Sequence, residues 1–280
     1  MASDLAPETR RARRGAWTPY GAVPLRIGIP AALATLVLIV PLVALVARAP
    51  WGGMAGLLAS ESLQSALRLS LVTATIATVI CIIVGVPLAW VLARVRFPGR
   101  RFVRALVTVP LVLPPVVAGV ALLTAFGRQG FIGAPLRDAF GVTIPFSTTA
   151  VVLAQVFVAM PFLVIAVEGS FRTADPTLDE EAATAGASRW QTFRIINVPL
   201  ALPGILSGAV LAWARSIGEF GATITFAGNA PGVTRTMPLE IYTALQTDPE
   251  PAIALSIVLL ALSVLVLAAL REKWLTNPWE

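Results

Sequence analysis

The sequence predicts an all-α membrane protein with six transmembrane helices, and three observations carry that expectation. Of 280 residues, 57% are hydrophobic and 13% charged, against roughly 25% charged in an ordinary soluble domain, and the mean hydropathy is +0.82. So few charges cannot cover a water-exposed surface. Six stretches are apolar over on the order of 20 residues, the length at which a helix spans about 30 Å of hydrocarbon. They are too long and too uniformly apolar for barrel strands, and a lone strand would leave its backbone unsatisfied in lipid.

In chain order the spans are expected at Leu25–Ala47, Leu67–Ala93, Val103–Phe126, Thr148–Val167, Pro199–Ile217 and Ala252–Leu270. The first is too long for a cleaved signal, whose apolar region runs to about 7–15 residues, and it contains Pro30 and Pro41; it is expected to remain as a spanning helix. Pro87, Pro110, Pro114, Pro115 and Pro161 lie within or beside later spans. Two readings stand equally: kinked helices around a cavity or moving interface, or the ordinary tolerance of membrane helices for proline. Residues 1–24 are expected to be a mobile basic cytoplasmic tail, 25–270 a six-helix transmembrane domain with a cytoplasmic loop at 170–199, and 271–280 a short cytoplasmic tail.

Charge sets the orientation. With the N-terminus in the cytoplasm, the inner side collects Arg10, Arg11, Arg13, Arg14, Arg26, Arg94, Arg96, Arg100, Arg101, Arg104, Arg172, Arg189, Arg194, Arg271 and Lys273. The outer side holds Arg48, Arg68, Arg128, Arg137 and Arg235, with Arg215 inside a helix. Fifteen against five places both termini in the cytoplasm by the positive-inside rule. The net charge of +6 is therefore topological information rather than a sign of nucleic-acid binding.

The absences narrow the chemistry. There is no His, one Cys (Cys81, in an apolar run) and one Lys (Lys273). Zinc sites built on His or Cys clusters, Ser-His-Asp triads and Cys-His nucleophiles lack their residues, and no disulfide can form within the chain. Lys273 follows Glu272 rather than a glycine-rich turn, so ATP cannot be held in a P-loop and nucleotide energy must come from a partner. No metal or cofactor site and no enzymatic nucleophile are expected in the chain.

The most informative stretch is the polar loop 170–199, before the fifth span. Pro176 suits an N-terminal helix position, Asp179, Glu180 and Glu181 favour a helix start, and Ala182, Ala183 and Ala185 are strong helix formers, with Gly186 a natural stop. A second amphipathic segment runs from Arg189 to Ile196, with Trp190, Phe193 and Ile196 on one face, before Pro199 opens the fifth span. A loop lying on the membrane surface would be rich in Lys and Arg; here Arg172, Arg189 and Arg194 face Glu168, Asp175, Asp179, Glu180 and Glu181.

This stretch resembles the EAA loop of ABC-importer permeases: Glu-Ala-Ala, three residues, Gly, nine residues, Ile or Val, any residue, Leu-Pro. Glu180 and Ala182 match, Gly186 follows at the family's distance, nine residues lead to Ile196, and Val198-Pro199 stands for Leu-Pro. Glu181 replaces the first Ala, and Val198 the Leu. The resemblance implies a type I ABC-importer permease fold whose loop is a coupling helix seated in a cleft of a cytoplasmic ATPase. It also implies a homodimer, two ABC ATPase subunits that use ATP and Mg, and an extracytoplasmic binding protein.

A second cluster lies in and after the fifth span. Arg215 and Glu219 are four apart on one helical face, close enough to pair, and paired ions are the tolerable way to keep charge in a bundle. The pair is either functional or a lock between helices; a fixed carboxylate would repel an anion, so Glu219 is expected to be structural or gating and never a ligand. The run Gly218-Glu219-Phe220-Gly221-Ala222-Thr223, then Phe226-Ala227-Gly228-Asn229, then Met237-Pro238-Leu239 and Ile241-Tyr242 is similar to molybdate permease subunits. That similarity implies molybdate or tungstate as cargo, with Arg215, Glu219, Gly221, Thr223 and Asn229 as candidate gate or path residues, and Thr225 a further donor. A sulfate permease is the alternative. A secondary transporter driven by an ion gradient is the more distant one, since it needs titratable groups buried along the path and Glu219, at the end of the fifth expected span, is the one carboxylate that offers itself.

Overall fold

The computed structural model describes residues 24–275; the expected tail at 1–24, with its arginines at 10–14, therefore lies outside the described residues except at Pro24, as do residues 276–280. The described chain is helical, with no strand among these residues. By its internal contacts it divides into Met1–Ala47 and Arg48–Glu280.

The first unit holds α1 (Leu25–Ala47), with the bounds the sequence predicts; it carries Pro30 and Pro41 without a break and buries none of its residues.

The second unit begins with a short α2 (Met54–Leu58) and the long α3 (Glu61–Arg94). Along α3 the buried positions include Ala66, Ser70, Ala74, Ala77, Cys81, Gly85 and Ala89, a stripe of small side chains at spacings of three and four. Lipid supplies no hydrophobic drive for helices to associate, so close approach through small residues provides the packing energy. The partner is α7 (Thr148–Thr173): a Cβ added at Gly85 would lie 2.6 Å from Leu163 Cδ2 and 3.0 Å from Met160 Sδ. Ser147 caps α7 by accepting the Ala150 amide at 3.3 Å.

The third predicted span is two helices, α4 (Arg100–Val112) and α5 (Pro115–Phe126). Leu113 takes an extended conformation because proline at 114 bars it from helical geometry, and Pro115 then starts the next helix where its missing N–H costs nothing. A short α6 (Gly133–Phe140) follows.

Beyond α7 come α8 (Thr177–Thr184), α9 (Arg189–Leu200) and α10 (Leu202–Ile217). The sequence reading expects Pro199 to open the fifth span; instead it lies near the end of α9. The break falls at Ala201, Pro203 occupies the first turn of α10, and the two helices meet at 72°. Gly204 and Gly208 then bring α10 against α7: an added Cβ would meet Ser170 at the first and lie 3.1 Å from the Leu163 carbonyl at the second. The chain ends with α11 (Gly221–Phe226), α12 (Met237–Thr247) and α13 (Pro249–Leu275).

Among the described residues four helices are long and apolar enough to cross a membrane, and the bent α9–α10 pair is a fifth candidate. Large apolar side chains such as Val72, Val79, Ile83, Ile165 and Leu211 stand exposed along these helices, the arrangement of a surface solvated by lipid rather than water.

Candidate functional site

The loop before the fifth span folds as helix, turn and helix, the pattern the sequence predicts, and each local choice is visible. Asp175 Oδ1 accepts the Thr177 amide at 2.9 Å and starts α8; hydrogen bonds from Thr177 hold the Asp175 carboxyl below its ordinary value. The helix ends in a Schellman turn, with the Ala187 amide bonded to the Ala182 carbonyl at 2.9 Å and Gly186 to Ala183 at 3.0 Å. Gly186 sits at φ +83. A Cβ there would touch nothing, so glycine is required by conformation, not by space. A capping box follows: Ser188 Oγ accepts the Gln191 amide at 3.3 Å, and Gln191 Oε1 accepts the Ser188 amide at 2.7 Å. The sequence pattern Ser-x-x-Gln carries that signal.

Within α9, residues Phe193–Asn197 form a π turn, one extra residue that rotates the downstream part of the helix. As a result Trp190, Phe193 and Ile196 do not share one buried face. Trp190 is 66% exposed and leans on Phe193 at 5.6 Å, while Phe193 packs edge-on against Trp90 at 5.4 Å and near Phe171 at 6.5 Å. Ile196 is half-buried and Pro199 exposed; Glu180, Glu181 and Gly186 are exposed, with Ala182 buried beneath them.

The same rotation turns Asn197 inward, to 2% exposure. Its amide donates to Asp179 Oδ1 at 3.1 Å. Asp179 Oδ2 lies 3.6 Å from Arg94 Nε, and Arg94 Nη2 donates to the Ala174 carbonyl at 2.9 Å. One polar knot thus pins the end of α3 to both limbs of the loop. Beside it, Glu168 is buried and accepts from Arg104 Nε at 3.0 Å and pairs with Arg172 Nε at 3.1 Å. Sequence reasoning missed the roles of Asp179, Asn197, Arg94 and Arg104, because pairing across 18 to 85 residues leaves no local pattern.

In the second cluster Arg215 and Glu219 do pair, Nη2 to Oε2 at 2.5 Å. Glu219 is 1% exposed, and its Oε1 also accepts the Ala222 amide at 2.8 Å in the first turn of α11. Gly221 allows α11 to sit on the start of α5, where a Cβ would collide with Pro115 Cβ; Gly119 does the same from the other side, 2.5 Å from Thr225 Cβ. Of the expected donors, Thr225 bonds to the Gly221 carbonyl at 2.9 Å. Asn229 is engaged at both ends, its amide nitrogen to Thr243 Oγ1 at 3.0 Å and its oxygen accepting Arg235 Nε at 2.9 Å. The Thr223 hydroxyl is fully buried and has no hydrogen-bond partner. Phe146, at φ +60, lays its ring against Gly228, where a Cβ would be 3.1 Å away.

Residues 85–272 match the family described as binding-protein-dependent transport system inner membrane component. The molybdenum transport system permease protein ModB of Mycobacterium tuberculosis is 51% identical over 251 residues, covering 90% of this chain and 95% of that protein. ModB of Escherichia coli is 43% identical over 212 residues, 76% of this chain and 93% of its own length. Among solved structures, a bacterial ABC transporter involved in the import of the acidic polysaccharide alginate superposes with a TM-score of 0.71 at 19% identity, covering 90% of this chain and 95% of that one. A kinked-helix scaffold, a capped loop before a bent span and sequence kinship along most of the chain agree: this protein belongs to the binding-protein-dependent transport system inner membrane components, as a multi-pass inner-membrane permease subunit.

Proposed function

We propose that the chain is one of two identical permease subunits in an ABC importer that passes molybdate or tungstate into the cell, with sulfate as the alternative cargo. Six spans, formed by α1, α3, the α4–α5 pair, α7, the α9–α10 pair and α13, place both termini in the cytoplasm, with the passage between two copies. An extracytoplasmic binding protein delivers the oxyanion. ATP and Mg act in two partner ATPases, which grip the loop formed by α8 and α9, and no bond of the cargo is made or broken.

The observation that carries this reading is the construction of that loop. It is a compact helix–turn–helix with an acidic outer face, held to α3 by the Arg94–Asp179–Asn197 knot and continuous with a bent span, so a rigid push on it reaches the transmembrane helices. Glu180, Glu181, Gly186 and Trp190 face outward, where a partner can meet them. Arg215 neutralises Glu219, which makes that carboxylate a brace at the α10–α11 corner rather than an anion ligand. Thr223 is the path candidate whose hydroxyl is not already spent.

Reconstitution of the chain with its ATPase subunits and a molybdate-binding protein in proteoliposomes tests the reading. ATP- and binding-protein-dependent uptake of labelled molybdate is expected, competed by tungstate more strongly than by sulfate. Uptake driven by an imposed ion gradient without ATP overturns it. Charge reversal at Glu180 is expected to leave hydrolysis running while uptake falls; unchanged coupling removes this register of the loop.

A further inference from the structure

Between α3 and α4 the chain turns through Val95-Arg96-Phe97-Pro98-Gly99, with Gly99 at φ +85. The turn wraps Arg96, Arg100 and Arg101 around a cavity of about 360 Å³ whose wall is completed by Phe97, itself packed on the core. The neighbouring Arg94 and Arg104 are committed to Asp179 and Glu168. The three that line the cavity are not: among the described residues none of them has a carboxylate within ion-pair distance. Arg100 donates through Nη2 to the Ala93 carbonyl at 3.3 Å, while its Nε is buried without a hydrogen-bond partner. Arg96 and Arg101 are exposed.

From the rim of this cavity, α4 carries Phe102, Leu106, Val109 and Val112, all exposed and spaced by four, three and three residues, which places them along one side of the helix. A concentrated positive cavity thus leads directly onto an apolar strip.

We propose that this cavity takes the phosphodiester headgroup of an anionic membrane lipid, with an acyl chain lying along the α4 strip. Guanidinium groups present paired donors that match phosphate oxygens, and basic cavities at the ends of membrane helices attract anionic headgroups. A soluble anion engages the arginines alone, whereas a lipid with its headgroup in the cavity engages the arginines and the adjoining strip at once. The assignment rests on the topology proposed above, which puts this turn at the cytoplasmic face. It is separate from the transported oxyanion.

The test is native mass spectrometry of the delipidated full-length chain in complex with its ATPase partners, titrated with phosphatidylglycerol, with phosphatidylcholine of the same acyl chains, and with glycerol 3-phosphate. Phosphatidylglycerol is expected to bind preferentially. The double variant R96Q/R101Q touches only exposed side chains, so the fold is retained. It is expected to weaken phosphatidylglycerol about 25-fold, roughly fivefold for each arginine, while R128Q, at a different turn, leaves it unchanged. L106Q is expected to weaken the lipid and not glycerol 3-phosphate. Equal binding of the two lipids, or an unaltered preference in R96Q/R101Q, overturns the proposal. So does competition by glycerol 3-phosphate at lipid-like concentrations, which identifies a soluble-anion site. An anionic preference seen only without the ATPases also overturns it, because protein then covers the cavity. The readout is lipid binding rather than uptake, so an error in the cargo leaves this result interpretable.

Discussion

Replacing Glu219 by Gln isolates a single charge. The side chain keeps its volume and an oxygen to accept the Ala222 amide, now at 2.8 Å, but it no longer neutralises Arg215. Removing one member of a fully buried pair costs about 3–5 kcal/mol. Here Glu219 is 1% exposed but the Arg215 side chain retains 29% exposure, so water recovers part of the loss and the expected cost is roughly 2 kcal/mol. For a chain of this size that is a fall of about 4–8 °C in melting temperature, read from thermal unfolding of the purified importer, with uptake measured in parallel. The double variant Arg215→Gln/Glu219→Gln removes the stranded cation and is expected to recover at least half of the loss. An unchanged melting temperature with normal uptake in Glu219→Gln, or a double variant no more stable than the single, refutes the claim that this pair braces the corner.

Gly221→Ala places a methyl against Pro115 and is expected to cost about 1–3 kcal/mol by overpacking, seen as lower thermal stability; wild-type stability would show that α5 and α11 are not in firm contact. Gly186→Ala meets no atom but must hold φ +83, so a penalty of about 1–2 kcal/mol is expected to appear as faster hydrogen exchange in the α8–α9 turn, with Gly186→Asn milder. Asp179→Ala leaves the buried Asn197 amide with only its 3.4 Å bond to the Thr192 carbonyl, at about 1–3 kcal/mol, and uptake per ATP hydrolysed is expected to fall further than hydrolysis itself. For Asp175, whose folded-state carboxyl lies below the ordinary 3.8, the bond to Thr177 contributes above that value and is lost as pH falls through the lowered one; carbon NMR of the labelled carboxylate is expected to give a midpoint under 3.8, and a midpoint at or above it counts against the cap.

The features legible in the sequence are those with a local cause. The bounds of α1 follow from unbroken apolarity, and the α8 stop follows from Gly186. The pairing of Arg215 with Glu219 follows from helical spacing. Where the reading departs from the fold, competing local rules were at work. Pro114 and Pro115 split an apolar run that length alone treats as one helix, and Pro203, not Pro199, marks the start of α10. Helix α12 escaped because it is amphipathic and short beside the spans, although Thr236 and Pro238 mark its beginning. The π turn at Phe193–Asn197 has no composition signal, and without it Asn197 cannot be assigned to the interior. Asn229 is a candidate path donor in the sequence and is consumed by Arg235 and Thr243 in the structure, partners six and fourteen residues on that no helical spacing rule anticipates.

The 72° elbow between α9 and α10 has the geometry of a bell crank. Backbone hydrogen bonds run across the pivot, from Ala201 to Asn197 at 3.0 Å and from Ile205 to Ala201 at 2.9 Å, so the joint is stiffened rather than hinged. At 1.5 Å per residue the arms measure about 18 Å and about 24 Å, and a swing of about 10° about the pivot displaces their tips by roughly 3 Å and 4 Å. The longer arm ends at Ile217, two residues before Glu219. A stroke of a few ångströms delivered near Ser188 therefore arrives at the far corner slightly enlarged and turned through most of a right angle, which is enough travel to make or break the contact between Gly221 and Pro115.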